Sequence, residues 1–392
     1  MSYLSDYINQ KLSGIDFEQE LLRLIGEYNK LRNTFLFVYA SAISKQIPAI
    51  SLIEDDYYTI YGMLSLVNSK RCDVYLETPG GSGETAEEIV RFLRDKFEDV
   101  DFVISGEAKS AGTIMALSGN NILMTNSGSL GPIDAQIKIG RSVQSAYDYM
   151  EWVKEKRVEA LKMGKLNPFD ATMVAQISPG ELNGVGNALD FAKDLVTDWL
   201  PKYKFKNWTE TETSKTKVTD EMKEKRAHKI VKDLINHNKW RSHGRSIKIS
   251  DLEKIGLKIE KIDSNPKLAE IVYKIQTVIK LLFETTNTFK IFATESEKLF
   301  VSAALQGNHP KLPPTPQKAE VVTMEIECQK CGKNFKIYAK FVDDPKIDVD
   351  FKDKGFVPFP KDSKIHCQCG FEIDISGFKN NLETQIGKKM LN

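Results

Sequence analysis

Two short segments carry residue types suited to acyl-transfer chemistry: Thr78-Pro79-Gly80-Gly81, and Gly106-Glu107-Ala108-Lys109-Ser110-Ala111-Gly112-Thr113. Each follows a short apolar, β-branched run, residues 73–77 and 101–105, and each precedes a helix-like stretch. The chain therefore reads as two successive strand–turn–helix units. Such units present backbone N–H groups and one side chain at the carboxyl ends of parallel strands. Ser110 opens the second helix among small neighbours that let a substrate approach. In the first turn Gly80 brings backbone close without a Cβ in the way, and its N–H together with that of Ala111 could hold an oxyanion. Either turn alone also fits an ordinary Gly-rich βα connection. Together, in this order, they point to a serine nucleophile.

A hydroxyl needs a base to become a nucleophile near neutral pH, and an imidazole needs a carboxylate to hold its tautomer. The chain has five histidines. His228 and His237 fall on a charged helix and read as solvated, His309 lies near a Pro-rich stretch, and His366 abuts Cys367. His243 alone sits in a loop-like stretch, Ser242-His243-Gly244-Arg245, the setting in which catalytic groups concentrate. Asp134 ends the turn-rich run Asn126-Ser127-Gly128-Ser129-Leu130-Gly131-Pro132-Ile133. It either caps that turn or shares the rim with Ser110. A lysine base is the other route, and Lys138, Lys154 and Lys156 lie downstream of Ser110. Such a lysine must be desolvated to lose its proton, whereas Lys154 and Lys156 stand among Glu151, Glu155 and Arg157 as on a solvated helix face.

A second chemistry is written near the end of the chain. Cys328-x2-Cys331-Gly332 and Cys367-x-Cys369-Gly370 supply four thiolates in two pairs, the donor set of a structural tetrahedral zinc site, with a glycine after each pair to let the turn fold toward sulfur. The second pair has one intervening residue, so His366 is an alternative ligand to Cys367. Four reduced, buried cysteines would be the plain alternative. The fifth cysteine, Cys72, opens an apparent strand and reads as a small buried hydrophobe.

The elements that must position these residues follow from patterning. The chain has 392 residues, more than one ordinary core holds. Its net charge of +1 makes no case for nucleic acid or an anionic membrane. The first residues have neither a basic start nor an apolar core, so no secretory leader is expected. The longest apolar stretch, residues 34–53, is broken by Lys45, Gln46 and Pro48 and is a poor membrane span. These features imply a cytoplasmic protein. Residues 1–33 read as an amphipathic helix, residues 35–39 as a strand and 55–68 as a helix. The region 142–240 is mainly helical, with stretches at 143–163, 186–199 and 219–239. Ser250-x-x-Glu253 reads as a capping box and Gly256 as the matching helix stop. A helix over 266–286 and a mixed, strand-like stretch lead to the Pro-rich run 311–317, a semi-rigid linker.

At Thr78-Pro79-Gly80-Gly81, Lys109-Ser110-Ala111-Gly112-Thr113, Gly128-Ser129-Leu130-Gly131-Pro132-Ile133-Asp134 and Lys239-Trp240-Arg241-Ser242-His243 the chain resembles serine peptidases of the Clp/crotonase fold. Within these it is most similar to the serine dehydrogenase proteinases, relatives of the signal-peptide-peptidase and Clp-type proteases. The resemblance implies an α/β core with helical elaborations and a triad in the chain order Ser110, Asp134, His243. It also implies a homo-oligomer, an ATP-independent reaction on a protein or peptide substrate, and no nucleotide cofactor. The cysteine pairs resemble a zinc ribbon, whose partner would be a protein or a nucleic acid. The expected organisation is an N-terminal helix (1–33), a peptidase domain (34–262), a helical or mixed extension (263–310), a linker (311–320) and a zinc-ribbon-like module (321–392).

Other readings stay open. Signal-peptide-peptidase relatives use a Ser/Lys dyad and are often membrane-tethered, whereas this chain shows no tether. An enoyl-CoA hydratase-like enzyme would use carboxylates such as Glu84 or Glu107 and leave Ser110 without a role. A non-catalytic scaffold, or a peptidase latent until a partner engages the ribbon, would also fit.

Overall fold

The computed structural model describes residues 3–10, 12–45, 47–139, 142–211, 214–303, 321–328, 330–376, 378–379, 382–383 and 388–391. The chain divides into two compact units, Met1–Ala303 and Ala304–Asn392.

The first unit is built on a seven-stranded sheet in the order Lys298–Ser302, Thr288–Ala293, Phe35–Ser41, Arg71–Glu77, Asp99–Ile104, Asn121–Met124, Glu260–Lys261. Phe35–Ser41 and every strand on its far side pair in parallel. The hairpin of Thr288–Ala293 and Lys298–Ser302 adds two antiparallel strands at one edge. Central strands such as Phe35–Ser41 and Asp99–Ile104 are buried almost throughout, as parallel strands covered on both faces must be. Their alternation divides the core. Phe37, Val74 and Phe102 face helices Gly83–Lys96, Ala111–Leu117 and Asp220–Ile235, whereas Leu36, Val38, Tyr75 and Val103 face Gly14–Arg32 and Pro266–Thr285.

That second layer is where the structure goes beyond the sequence reading. Residues 1–33 and 263–303, set apart there from the 34–262 core, supply two packed helices and two strands of the same sheet. The physical reason is the apolar stripe of each helix. Leu21, Leu24, Ile25 and Tyr28 meet Val272, Ile275 and Ile279 over a sheet face that is itself apolar. Ser13 and Asp16 form a capping box that starts the first of these helices.

The region 142–240 is mainly helical as expected, in Ala146–Met163, Pro179–Trp199 and Asp220–Ile235, although Gln136–Ile139 and Ser142–Ser145 first pair as antiparallel strands. Ser145, Ser178 and Thr219 cap their N-termini through their side chains. The short helix Ile249–Lys254 begins two residues earlier than the expected Ser250 cap would place it. Its cap is Lys248, whose N–H donates to the Asp251 carboxylate at 3.3 Å, and Gly256 at φ +91° ends it.

The second unit pairs Val321–Glu327 with Asn334–Lys340 antiparallel, adds Val357–Pro358, and carries a separate hairpin, Lys364–His366 with Glu372–Asp374. Its core holds Val322, Met324, Ile337, Phe359, Ile365 and Ile375. The expected linker, residues 311–320, and His309 lie outside the described residues.

Candidate active site

The two glycine-bearing turns lie against each other at the carboxyl ends of neighbouring strands. Thr78 N–H donates to the Glu107 carbonyl at 2.8 Å and Lys109 N–H to the Thr78 carbonyl at 3.0 Å. Gly80, at φ +98°, fits because nothing larger does: a Cβ there would stand 2.7 Å from Ser110 Cβ and 2.8 Å from the Lys109 carbonyl oxygen. Gly81 is pressed as hard from the other side. Leu52 N–H donates to the Gly80 carbonyl at 2.7 Å and Ser82 N–H to the Leu52 carbonyl at 3.0 Å. A buried Asp56–Lys290 ion pair of 2.6 Å, with Lys290 Nζ also donating to the Ser51 carbonyl at 2.9 Å, holds that Leu52 segment from behind.

Ser110 occupies φ +50°, ψ −116° at the start of helix Ala111–Leu117. A non-glycine residue held there stores backbone strain, which native structures tolerate where the surroundings over-determine the turn. Its Oγ has no hydrogen-bond partner among the described residues. Ala111 N–H and Gly81 N–H likewise have no acceptor among them, whereas Gly80 N–H donates to Thr78 Oγ1 at 3.2 Å. An oxyanion acceptor would therefore compete with Thr78 for Gly80.

Asp134 is fully buried, and His243 Nδ1 donates to its Oδ1 at 2.8 Å. An ionised carboxylate only accepts, so this bond places the proton on Nδ1 and leaves Nε2 as the basic nitrogen. His243 makes no hydrogen bond to Ser110 among the described residues. The sequence reading thus named an Asp–His pair that the fold brings together, with Ser110 on the adjoining turn. Asp134 belongs to the same loop as Gly131, whose N–H donates to Thr113 Oγ1 at 2.9 Å inside the Ser110 helix.

Two neighbours of Asp134 were missed. Gln136 Nε2 donates to Asp134 Oδ2 at 3.2 Å, and His237 Nε2 stands 4.0 Å from that same oxygen. His237, expected on a solvated face, is pinned through Nδ1 to Asp148 at 2.6 Å. It opens the short helix His237–Trp240 after the Asn236 cap, which turns it out of the preceding helix. Of the lysine candidates, Lys154 pairs with Glu151 at 2.8 Å, and Lys156 with Asp170 at 2.7 Å and Glu159 at 3.0 Å. Lys154 is exposed, whereas Lys156 is half-buried against buried Asp170. The Lys138 side chain lies outside the described residues. Glu84 bonds with the Ser82 hydroxyl on the helix start and Glu107 with Ser246.

With this geometry, the comparisons bear on the Ser110 region directly. Residues 46–166 match the family model described as ClpP-like SDH-type serine proteinase. The SDH-type segment spans both glycine-bearing turns, Ser110 and Asp134, while His243 lies beyond it. The chain is 29% identical over 85 residues to an uncharacterized protein of Methanocaldococcus jannaschii, covering 22% of this chain and 30% of that relative. Among solved structures, it aligns with the 1510-N membrane-bound stomatin-specific protease at 12% identity and TM-score 0.32, over 56% of this chain and 79% of that one. A second structure of that protease, in complex with a substrate peptide, aligns at 13% identity and TM-score 0.31, over 64% and 84%.

In the second unit the four sulfurs of Cys328, Cys331, Cys367 and Cys369 lie within 4.8 Å of one another. Cys328 and Cys369 are 3.6 Å apart, and Cys331 and Cys367 are 3.5 Å apart. Tetrahedral thiolates bonded at about 2.3 Å sit about 3.8 Å apart, so the donor set fits a soft four-coordinate metal. The alternative ligand His366 does not join it, since its Nε2 faces Asp362 at 3.1 Å and its Nδ1 Glu372 at 3.3 Å. Cys72 is fully buried, and burial pushes its thiol up.

Proposed function

We propose that the chain is a serine peptidase in which Ser110 attacks the scissile carbonyl, His243 moves the proton and Asp134 orients the imidazole. The 2.8 Å bond from His243 to buried Asp134 carries this reading, because it fixes the tautomer a general base needs. The SDH-type family match over residues 46–166 supports the reaction class. The tetrahedral intermediate would be held by the Ala111 N–H and the Gly80–Gly81 turn. The free Ala111 and Gly81 N–H groups support that assignment.

The Ser/Lys-dyad alternative rests on Lys138, since Lys154 and Lys156 are engaged with carboxylates. The protein or peptide substrate, the homo-oligomer and the cytoplasmic setting belong to this proposal as well. So does zinc at the four cysteines, where it would supply folding energy rather than chemistry. No helix among the described residues is long and apolar enough to cross a membrane.

The deciding experiment is fluorophosphonate labelling of the purified chain, read by intact mass, beside Ser110→Ala and His243→Ala. Labelling that vanishes with Ser110→Ala and drops sharply with His243→Ala is the expected result. Labelling that survives His243→Ala moves the base to a lysine. An unlabelled wild-type chain favours the scaffold or partner-activated readings.

A further inference from the structure

Lys109, the residue before Ser110, is 5% exposed and meets no carboxylate at hydrogen-bond distance, its nearest being Glu107 Oε1 at 3.8 Å. Its Nζ instead has four neutral acceptors: Ser129 Oγ, the Leu130 carbonyl and the Arg245 carbonyl at 3.3 Å each, and Ser246 Oγ at 2.9 Å. Two of these acceptors lie on the strand whose chain continues to Asp134. The other two lie just past His243. One ammonium therefore gathers the three segments that carry Ser110, Asp134 and His243. Around it, Leu130 and Ile247 exchange backbone hydrogen bonds of 2.9 and 3.1 Å, and Ser246 Oγ donates to Glu107 at 3.3 Å. Gly131 leaves room for the stem, since a Cβ there would lie 2.8 Å from Lys109 Cδ. Burial lowers the pKa of this amine, a desolvation penalty that the Glu107 carboxylate at 3.8 Å offsets only in part. An apolar side chain would fill the space without that penalty, so stability alone does not account for a lysine here.

We propose that Lys109 is a positioning residue, whose ammonium tethers the His243 loop to the nucleophile turn and so sets the reach from Ser110 to His243. This rests on the Ser110–His243–Asp134 reading above. It deepens that reading by naming what holds two residues so distant in sequence in register.

A double-mutant cycle on the full chain tests it, with the second-order rate of fluorophosphonate labelling as readout and the thermal midpoint measured beside it. Lys109→Met is expected to slow labelling roughly tenfold or more in the wild-type background but less than about twofold when His243 is already Ala, because a tether to a missing base has nothing left to position. Equal slowing in both backgrounds would mean a structural effect on the nucleophile itself and overturns the proposal. So does an unchanged rate in the wild-type background. If Lys109→Met does not fold, Ser246→Ala removes a single acceptor and should show the same background dependence at a smaller factor. Failure of the underlying reading looks different: His243→Ala would then label as fast as wild type, which sinks the tether with it.

Discussion

Gly80 and Ser110 are packed so closely that one added carbon would collide: a Cβ on Gly80 falls 2.7 Å from that of Ser110. The two turns are therefore a single mechanical object. Gly80→Ala must either move Ser110 or abandon φ +98°, a conformation L side chains rarely adopt. It should lower Ser110 labelling by about 10²-fold, the scale set by disturbing an oxyanion donor. Gly184→Ala, with nothing within 4 Å of its new Cβ, should leave labelling unchanged.

Asp134→Asn keeps the shape of the carboxylate but permits the wrong imidazole tautomer. Peptide hydrolysis should fall by roughly 10³–10⁴-fold in kcat with little change in KM. His237→Gln touches only the second oxygen of Asp134, from 4.0 Å away. It should cost less than about tenfold, and a loss equal to that of Asp134→Asn would mean His237 is the base.

Glu77 ends the strand before the first glycine turn, with Tyr75 donating to it at 3.0 Å. Burial, opposed by that hydrogen bond and aided by Glu107, pushes its carboxyl from 4.5 up to about 7. The folded chain thus binds this proton more tightly than the unfolded one. The stabilisation is complete at low pH and is lost as pH rises through about 7. Glu77→Gln should remove that loss, giving a gain on the order of 3 kcal/mol at pH 8 relative to wild type. Asp101, which burial and Asp73 raise to about 6, contributes a similar slope to both proteins, so the difference in urea midpoints between pH 4.5 and 8 reports Glu77. Parallel curves would refute the assignment.

Chelation should unfold the second unit selectively. The metal content is expected to be one ion per chain by mass spectrometry, lost in Cys331→Ser and retained in His366→Ala. Every residue proposed for catalysis lies within Met1–Ala303, so Ser110 labelling should survive chelation. Retention of the metal in Cys331→Ser would rule the four-thiolate site out.

Local features were legible because their information is local. The Gly80 and Ser110 turns and the Cys328–Cys331 and Cys367–Cys369 pairs each need only a few neighbouring residues to be specified. The amphipathic stripe of Gly14–Arg32 and the helix Pro266–Thr285 were equally visible. An apolar face announces that it must be covered but not by what, which is why those helices were set apart from the core they complete.

What the tertiary structure alone decided is pairing across long separations. Asp134 and His243 are 109 residues apart, and Lys109 and Ser246 are 137 apart. Residue type made Asp134 and His243 candidates, and the resemblance raised them above their rivals. Nothing in their spacing distinguishes His243, which donates to Asp134, from His237, which binds Asp148 and faces Asp134 from further off. Residue types and short-range spacing set which chemistry the chain can attempt. Which groups meet is set by how the sheet orders its strands and how one buried ammonium finds its acceptors, and a hydrogen bond depends on distance in space rather than along the chain.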